Sequence, residues 1–167
     1  MSDKIYNVLF ICTGNSARSI IAEAVTNHLG DGRFKAYSAG SHPRGQVHPL
    51  ALELLIAQRY DVSQLRSKGW EEFTHAKAPV MDFVFTVCDK AAREICPAWP
   101  GQPVTADWSF EDPVLVTGSL EQQKKAFANA LFLISNRIRL FLNLPHDRID
   151  RMSLQQVLKA LPPDDAG

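Results

Sequence analysis

Residues 5–12, IYNVLFIC, form a run of strand-favouring side chains with no polar alternation, the pattern of a central parallel strand buried on both faces. A loop of small residues follows, and then Ile20, Ala24, Val25 and Leu29 fall at helical spacing, with Gly30 placed to stop the helix. This strand, loop and helix unit recurs. RFKAYSAG (33–40) reads as a second strand and PLALELLIAQR (49–59) as a helix with Pro49 in its first turn. FVFTVC (83–88) reads as a third strand and QPVTAD (102–107) as a fourth, whose Pro103 suits a sheet edge. A long amphipathic helix is predicted from Ser119, which has capping-box spacing with Gln122. Its apolar face is Phe127, Leu131, Ile134, Ile138 and Phe141, and Asn136, Arg137 and Arg139 read as a solvated face.

Strands alternating with helices imply right-handed crossovers. The expected fold is therefore a three-layer α/β architecture: a four-stranded parallel sheet in the order 2-1-3-4 with helices on both faces. Ligands bind such sheets beyond the carboxyl ends of the strands, where the winding reverses, here between the first and third strands. At 167 residues the chain suits one domain, expected over 1–147. Residues 148–167 read as a C-terminal extension: a short helix capped by Ser153 and Gln156, with Leu154, Val157, Leu158 and Leu161 as its stripe, and a terminal PPDDAG.

Charge excludes whole classes of function. Lys plus Arg and Asp plus Glu number 18 each, so no bulk field draws the chain to nucleic acid or anionic lipid, and any anion site must be local. No apolar window reaches the length of a membrane span and the N-terminus lacks a cleavable leader, so a cytoplasmic protein without membrane partners is expected. Three cysteines, an odd number, suit free or redox-active thiols better than a disulfide framework. The histidines His28, His42, His48, His75 and His146 show no metal-site spacing, and no metal is expected.

The chemistry concentrates at residues 12–19. Cys12 ends the first strand, Thr13, Gly14, Asn15, Ser16 and Ala17 form a tight curl, and Arg18 and Ser19 open the helix. A thiolate is the reactive form of cysteine, and a helix N-terminus and a nearby cation both favour it. A curl of small residues can turn its N–H groups inward as an anion nest, and the planar fork of Arg18 can clamp two oxygens of a tetrahedral oxyanion. Asn15 tolerates a left-handed backbone, and Ser16 and Ser19 are placed to donate to Cys12 or to the loop. A Walker loop is excluded because no Gly-Lys-Ser/Thr is present. Asp112, before Pro113 beyond the fourth strand, is a candidate general acid, with Asp107 and Asp89 as weaker alternatives.

Together, VLFICTGNSARS, AYSAG, FVFTVCDKAAREICP and DWSFEDP resemble the low-molecular-weight tyrosine phosphatase superfamily, and most closely the arsenate reductases built on that fold. The resemblance implies reduction of arsenate to arsenite, in arsenic detoxification. Cys12 would be the nucleophile, Arg18 the oxyanion clamp and Asp112 the acid. Cys88 would attack the arseno-cysteine on Cys12, and Cys96 would resolve the resulting disulfide. No tightly bound cofactor is implied; the electrons would come from an external thiol reductant, thioredoxin or glutaredoxin with glutathione. The implied protein is a monomer whose ligand is arsenate or a phosphate-like oxyanion. The alternative is a protein tyrosine phosphatase or small-phosphoester phosphatase with incidental extra thiols; residual phosphatase activity could also accompany reduction. Neighbouring strands lie about 4.8 Å apart and disulfide Cα atoms about 5.5 Å apart, so exchange between Cys12 and Cys88 is geometrically reasonable. If DKAAREI is helical, Cys88 and Cys96 stand about 12 Å apart along its axis, and the segment must unwind on oxidation.

The chain departs from that pattern in places. Seven residues separate Cys88 from Cys96, more than in thioredoxin-coupled relatives, which leaves the reductant open. Ala17 stands where many relatives carry a second loop cysteine. Asn15, Glu23 and Ser38 match parts of a potassium site found in some related reductases, but a salt link from Lys68 is the preferred reading. No Trp or Tyr occurs in SAGSHPRGQVHP to wall a phosphotyrosine ring, which favours a small inorganic oxyanion. Trp70, Trp99 and Trp108 read as packing residues.

Overall fold

The computed structural model describes residues 4–87 and 99–145. Four parallel strands, β1 (Tyr6–Cys12), β2 (Phe34–Gly40), β3 (Phe83–Thr86) and β4 (Val104–Asp107), form one sheet in the order β2-β1-β3-β4. This is the expected order, with β4, which begins just after Pro103, at the edge. Register aligns the carboxyl ends: Cys12 lies beside Gly40, Ile11 beside Thr86, and Thr86 beside Asp107. Side chains alternate across the sheet. Tyr6, Val8, Phe10 and Cys12 therefore share a face with Phe34, Ala36 and Ser38 and with Phe83 and Phe85.

Helices α1 (Arg18–Leu29) and α3 (Leu120–Leu142) pack against each other, and α2 (Pro49–Ala57) packs on both. Phe141 of α3 meets Phe34, Phe83 and Phe85 edge-on, with ring centroids 4.9–5.4 Å apart, so α3 covers the aromatic face of the sheet. On the opposite face Tyr37 meets Phe73, which belongs to a 3₁₀ turn at Trp70–Phe73. Trp108 is buried as expected and stacks on Phe85 at 3.9 Å, while Trp70 and Trp99 meet edge to face.

Two sequence readings resolve differently in detail. Gly30 does cap α1, but in a right-handed conformation, and the left-handed turn falls to Asp31 and Gly32. A side chain at position 30 would sit 2.7 Å from the Thr26 carbonyl oxygen, so close packing is what demands the glycine. Arg137 is not on a solvated face: it is 6 % exposed. It lies three residues after Ile134 and four before Phe141, which puts it on the buried stripe. Cys88, Asp89, Cys96, the segment between them, His146 and the C-terminal extension lie outside the described residues.

The capping box of α3 is formed as expected. Ser119 Oγ accepts from Gln122 N at 3.1 Å and Gln122 Oε1 accepts from Ser119 N at 2.9 Å. Ser119→Ala leaves Gln122 N without its side-chain acceptor and is expected to lower stability by about 1 kcal/mol in urea unfolding.

Candidate active site

The strand-to-helix connection after β1 is built from its backbone outward. Its carbonyl groups are satisfied by the segment after β2: Cys12 O accepts from Ser41 N at 3.3 Å, Thr13 O from His42 N at 2.9 Å, Gly14 O from Arg44 N at 2.9 Å, and Ser16 O from His48 N at 2.9 Å. Each trans peptide turns its N–H opposite to its carbonyl, so the N–H groups of Thr13, Gly14, Asn15 and Ala17 face away from residues 41–48, and Asn15 N points at the Cys12 sulfur. Gly40 makes the close approach possible, because a side chain there would fall 2.5 Å from Thr13 O and 3.1 Å from Asn15 N.

Asn15 fixes the curl. Its φ of 45° is left-handed, as the sequence led us to expect, and its buried side chain works in two directions. Asn15 Oδ1 accepts from Lys68 N at 2.9 Å, and Asn15 Nδ2 donates to Ser19 Oγ at 2.8 Å. Ser19 Oγ, accepting from Asn15, has its own proton available for the Cys12 sulfur 2.9 Å away. Asn15 N also donates to that sulfur, at 3.2 Å. Two donors therefore converge on Cys12, which is 3 % exposed and borders the open cleft. Such an arrangement suits a thiolate, the nucleophilic form.

The cleft has a volume of about 580 Å³ and lies beyond the carboxyl edge of β1, flanked by the segment after β4. Cys12, Thr13, Gly14, Ser16, Ala17, Arg18 and Asp112 all border it, while Asn15 and Ser19 stand behind as supports. Arg18 Nη2 lies 3.2 Å from Asp112 Oδ2, and Arg18 Nη1 donates to Phe110 O at 2.9 Å. Asp112 Oδ1 also accepts from Val114 N at 3.0 Å, which points the carboxyl across the cleft. Asp107 instead accepts from Thr86 Oγ1 at 2.5 Å at the end of β4, and is absent from the cleft lining.

Sequence reasoning missed three contributors. The carbonyl-capping segment 41–48 acts through its backbone, which side-chain motifs do not show. Phe110 acts through its carbonyl. Arg137 places its guanidinium 5.5 Å from the Trp108 ring and 6.0 Å from the Phe110 ring, beneath the segment that carries Asp112.

Behind the loop lies a buried charged cluster. Ser38 Oγ donates to Glu23 Oε1 at 2.6 Å; Lys68 Nζ stands 3.8 Å from that oxygen and donates to Arg66 O at 2.9 Å. Burial pushes the Glu23 carboxyl up, against the opposing pull of Ser38 and Lys68, and pushes the Lys68 ammonium down. With an ammonium already against the carboxylate, these residues do not fit an added potassium ion. The salt link preferred from the sequence is the contact observed.

The chain matches the family described as low molecular weight phosphotyrosine protein phosphatase over residues 7–153. An arsenate reductase of Halalkalibacterium halodurans is 35% identical over 135 residues, covering 80% of this chain and 93% of that protein. A glutaredoxin arsenate reductase of Synechocystis sp. is 33% identical over 106 residues, covering 64% of this chain and 77% of that one. A solved structure described as an arsenate reductase in the phosphate binding state superposes with a TM-score of 0.67 at 28% identity, covering 83% of this chain and 97% of its own.

Two outcomes test the construction of the site. Gly40→Ala drives a methyl group into the loop backbone and is expected to cost about 1–3 kcal/mol and to slow iodoacetamide labelling of Cys12. His48 caps α2 by accepting from Leu50 N at 3.1 Å; its pKa is lowered from the usual 6.5 by burial and then by Arg44, with Asp112 opposing. A depressed histidine contributes stability above pH 6.5 that is lost as pH falls through its folded value. His48→Asn keeps a capping acceptor but cannot titrate, so the acid-side decline seen in pH-dependent thermal melts should flatten.

Proposed function

The chain belongs to the low molecular weight phosphotyrosine protein phosphatase family, and from that premise we propose that it is an arsenate reductase. The carrying observation is one cleft in which the Cys12 sulfur, backed by Asn15 N and Ser19 Oγ, faces the Arg18–Asp112 pair. Arsenate binds to the inward N–H groups of residues 13–19 and to Arg18, which leaves Asp112 for the oxyanion. The Cys12 thiolate attacks arsenic; an As–S bond forms, an As–O bond breaks, and Asp112 protonates the departing oxygen, which leaves as water.

Reduction follows from the remaining thiols. Cys88 attacks the Cys12 sulfur, a disulfide forms, and the electron pair of the As–S bond stays on arsenic, which leaves as arsenite. Cys96 then attacks Cys88 and frees Cys12, and an external thiol reductant supplies two electrons to the Cys88–Cys96 disulfide. The glutaredoxin-named relative supports a thiol reductant for this step, with thioredoxin the other candidate. The reaction suits a monomer in the cytoplasm, where such reductants keep thiols reduced. Residues 1–147 would form the reductase domain and 148–167 its C-terminal extension. Among the described residues no helix is long and apolar enough to cross a membrane.

Phosphoester hydrolysis is the second reading. The Cys12, Arg18 and Asp112 geometry favours it equally, because attack on phosphorus and protonation of the leaving group need no second thiol. Arsenite formation with thioredoxin or glutaredoxin systems, set beside para-nitrophenyl phosphate hydrolysis, separates the two. Cys12→Ser should abolish both activities; Cys88→Ser and Cys96→Ser should abolish catalytic arsenite release and spare hydrolysis. Undiminished arsenite turnover in both relay variants would overturn the relay, and hydrolysis alone in the wild type would make the protein a phosphatase.

A further inference from the structure

A second arginine overhangs the loop. Arg44 N donates to Gly14 O at 2.9 Å, and the Arg44 side chain lies flat along Gly14 and borders the same cleft as Cys12 and Arg18. The three atoms nearest to a Cβ on Gly14 would all belong to Arg44: Nε at 3.0 Å, Cγ at 3.3 Å and Cδ at 3.4 Å. Gly14 is not among the residues with left-handed backbone, and the absence of a side chain there lets the arginine lie this close to the loop.

Charge gives the arginine a role. Arg18 already faces Asp112 and Phe110 O, whereas Arg44 makes no salt bridge among the described residues. A free arsenate or phosphate near neutral pH carries between one and two negative charges, and with three oxygens toward the loop it presents its fourth to the cleft mouth. A phosphomonoester presents an ester oxygen and its substituent toward the cleft mouth instead. That substituent would have to lift Arg44 from its seat on Gly14 and would offer no charge in return.

We propose that Arg44 is a specificity-determining residue: a rim clamp for the outer oxygen of a free tetrahedral oxyanion, which favours arsenate or inorganic phosphate over phosphomonoesters. The proposal rests on the reading of this cleft as an oxyanion site. It does not require that arsenic be reduced there.

The test reads binding rather than turnover. Labelling of Cys12 by iodoacetamide is followed by mass spectrometry of its peptide while inorganic phosphate or para-nitrophenyl phosphate is titrated as protectant. In Arg44→Ala the half-protecting phosphate concentration should rise about fivefold, as befits a solvent-facing charge. Arg44→Lys should restore most of it, and added salt should close the gap between variants. Protection by para-nitrophenyl phosphate should change less than twofold. An unchanged phosphate requirement in Arg44→Ala, or equal weakening of both protectants, overturns the proposal. If the wild type makes no arsenite but phosphate protection still depends on Arg44, the reductase reading fails and this inference stands. If phosphate does not protect wild-type Cys12 at all, both fail.

Discussion

The site depends on where four carbonyl groups point. Each buried backbone carbonyl must find a donor, and those of Cys12, Thr13, Gly14 and Ser16 find theirs in Ser41, His42, Arg44 and His48. Satisfying them outward leaves the N–H groups of the loop directed inward, so an anion-binding concavity results from ordinary hydrogen-bond accounting. The parallel register makes this possible, because it ends β2 at Gly40 directly beside Cys12. The segment that leaves β2 is thereby delivered to the loop, and the missing side chain at 40 lets the two backbones meet.

Holding that concavity open has a cost that the fold offsets locally. A non-glycine residue at φ 45° is disfavoured by about 1 kcal/mol or more, and Asn15 recovers this through buried hydrogen bonds to Lys68 N and Ser19 Oγ. Lys68 in turn brings its ammonium under the sheet toward Glu23, where burial penalises both charges. An apolar pair of similar volume would pack there without that penalty. What the ion pair supplies instead is placement: Lys68 N sits where Asn15 needs it, and Lys68 O accepts from Gly40 N at 2.9 Å, tying the second partner of the loop to the same residue.

Legibility in the sequence followed the kind of signal each feature leaves. Strand order and helix positions were readable because burial leaves a pattern: the unbroken apolar runs IYNVLFIC and FVFTVC read as buried strands, and the capping box at Ser119 marked the start of α3 within a residue. Cys12, Arg18 and Asn15 were readable because their side chains carry the chemistry. The segment 41–48 was not, since its contribution is four backbone N–H groups that any residue except proline supplies. Arg137 misled for the opposite reason. Its charge outweighed its position, although its spacing from Ile134 and Phe141 had already placed it on the buried stripe.

The same geometry explains why one fold can serve reduction and hydrolysis. On the proposed reading, the loop at the carboxyl edge of β1 would stabilise a sulfur attacking a tetrahedral centre, and neither the loop nor Arg18 would distinguish arsenic from phosphorus. The distinction arises after the first bond has formed. A thiophosphate ester can only be released by water, because phosphorus does not accept the electron pair of its bond to sulfur under these conditions, whereas arsenic does. On the proposed reading, selection of the reaction would be governed by which nucleophile reaches the Cys12 sulfur, and selection of the substrate by what borders the cleft above it. Those are separable functions held on separate segments: the end of β3 leads toward Cys88, and the turn after β2 carries Arg44. A chain with this loop can thus alter its substrate preference at the rim without touching its nucleophile, and gain or lose reduction at the strand end without altering how it binds an oxyanion.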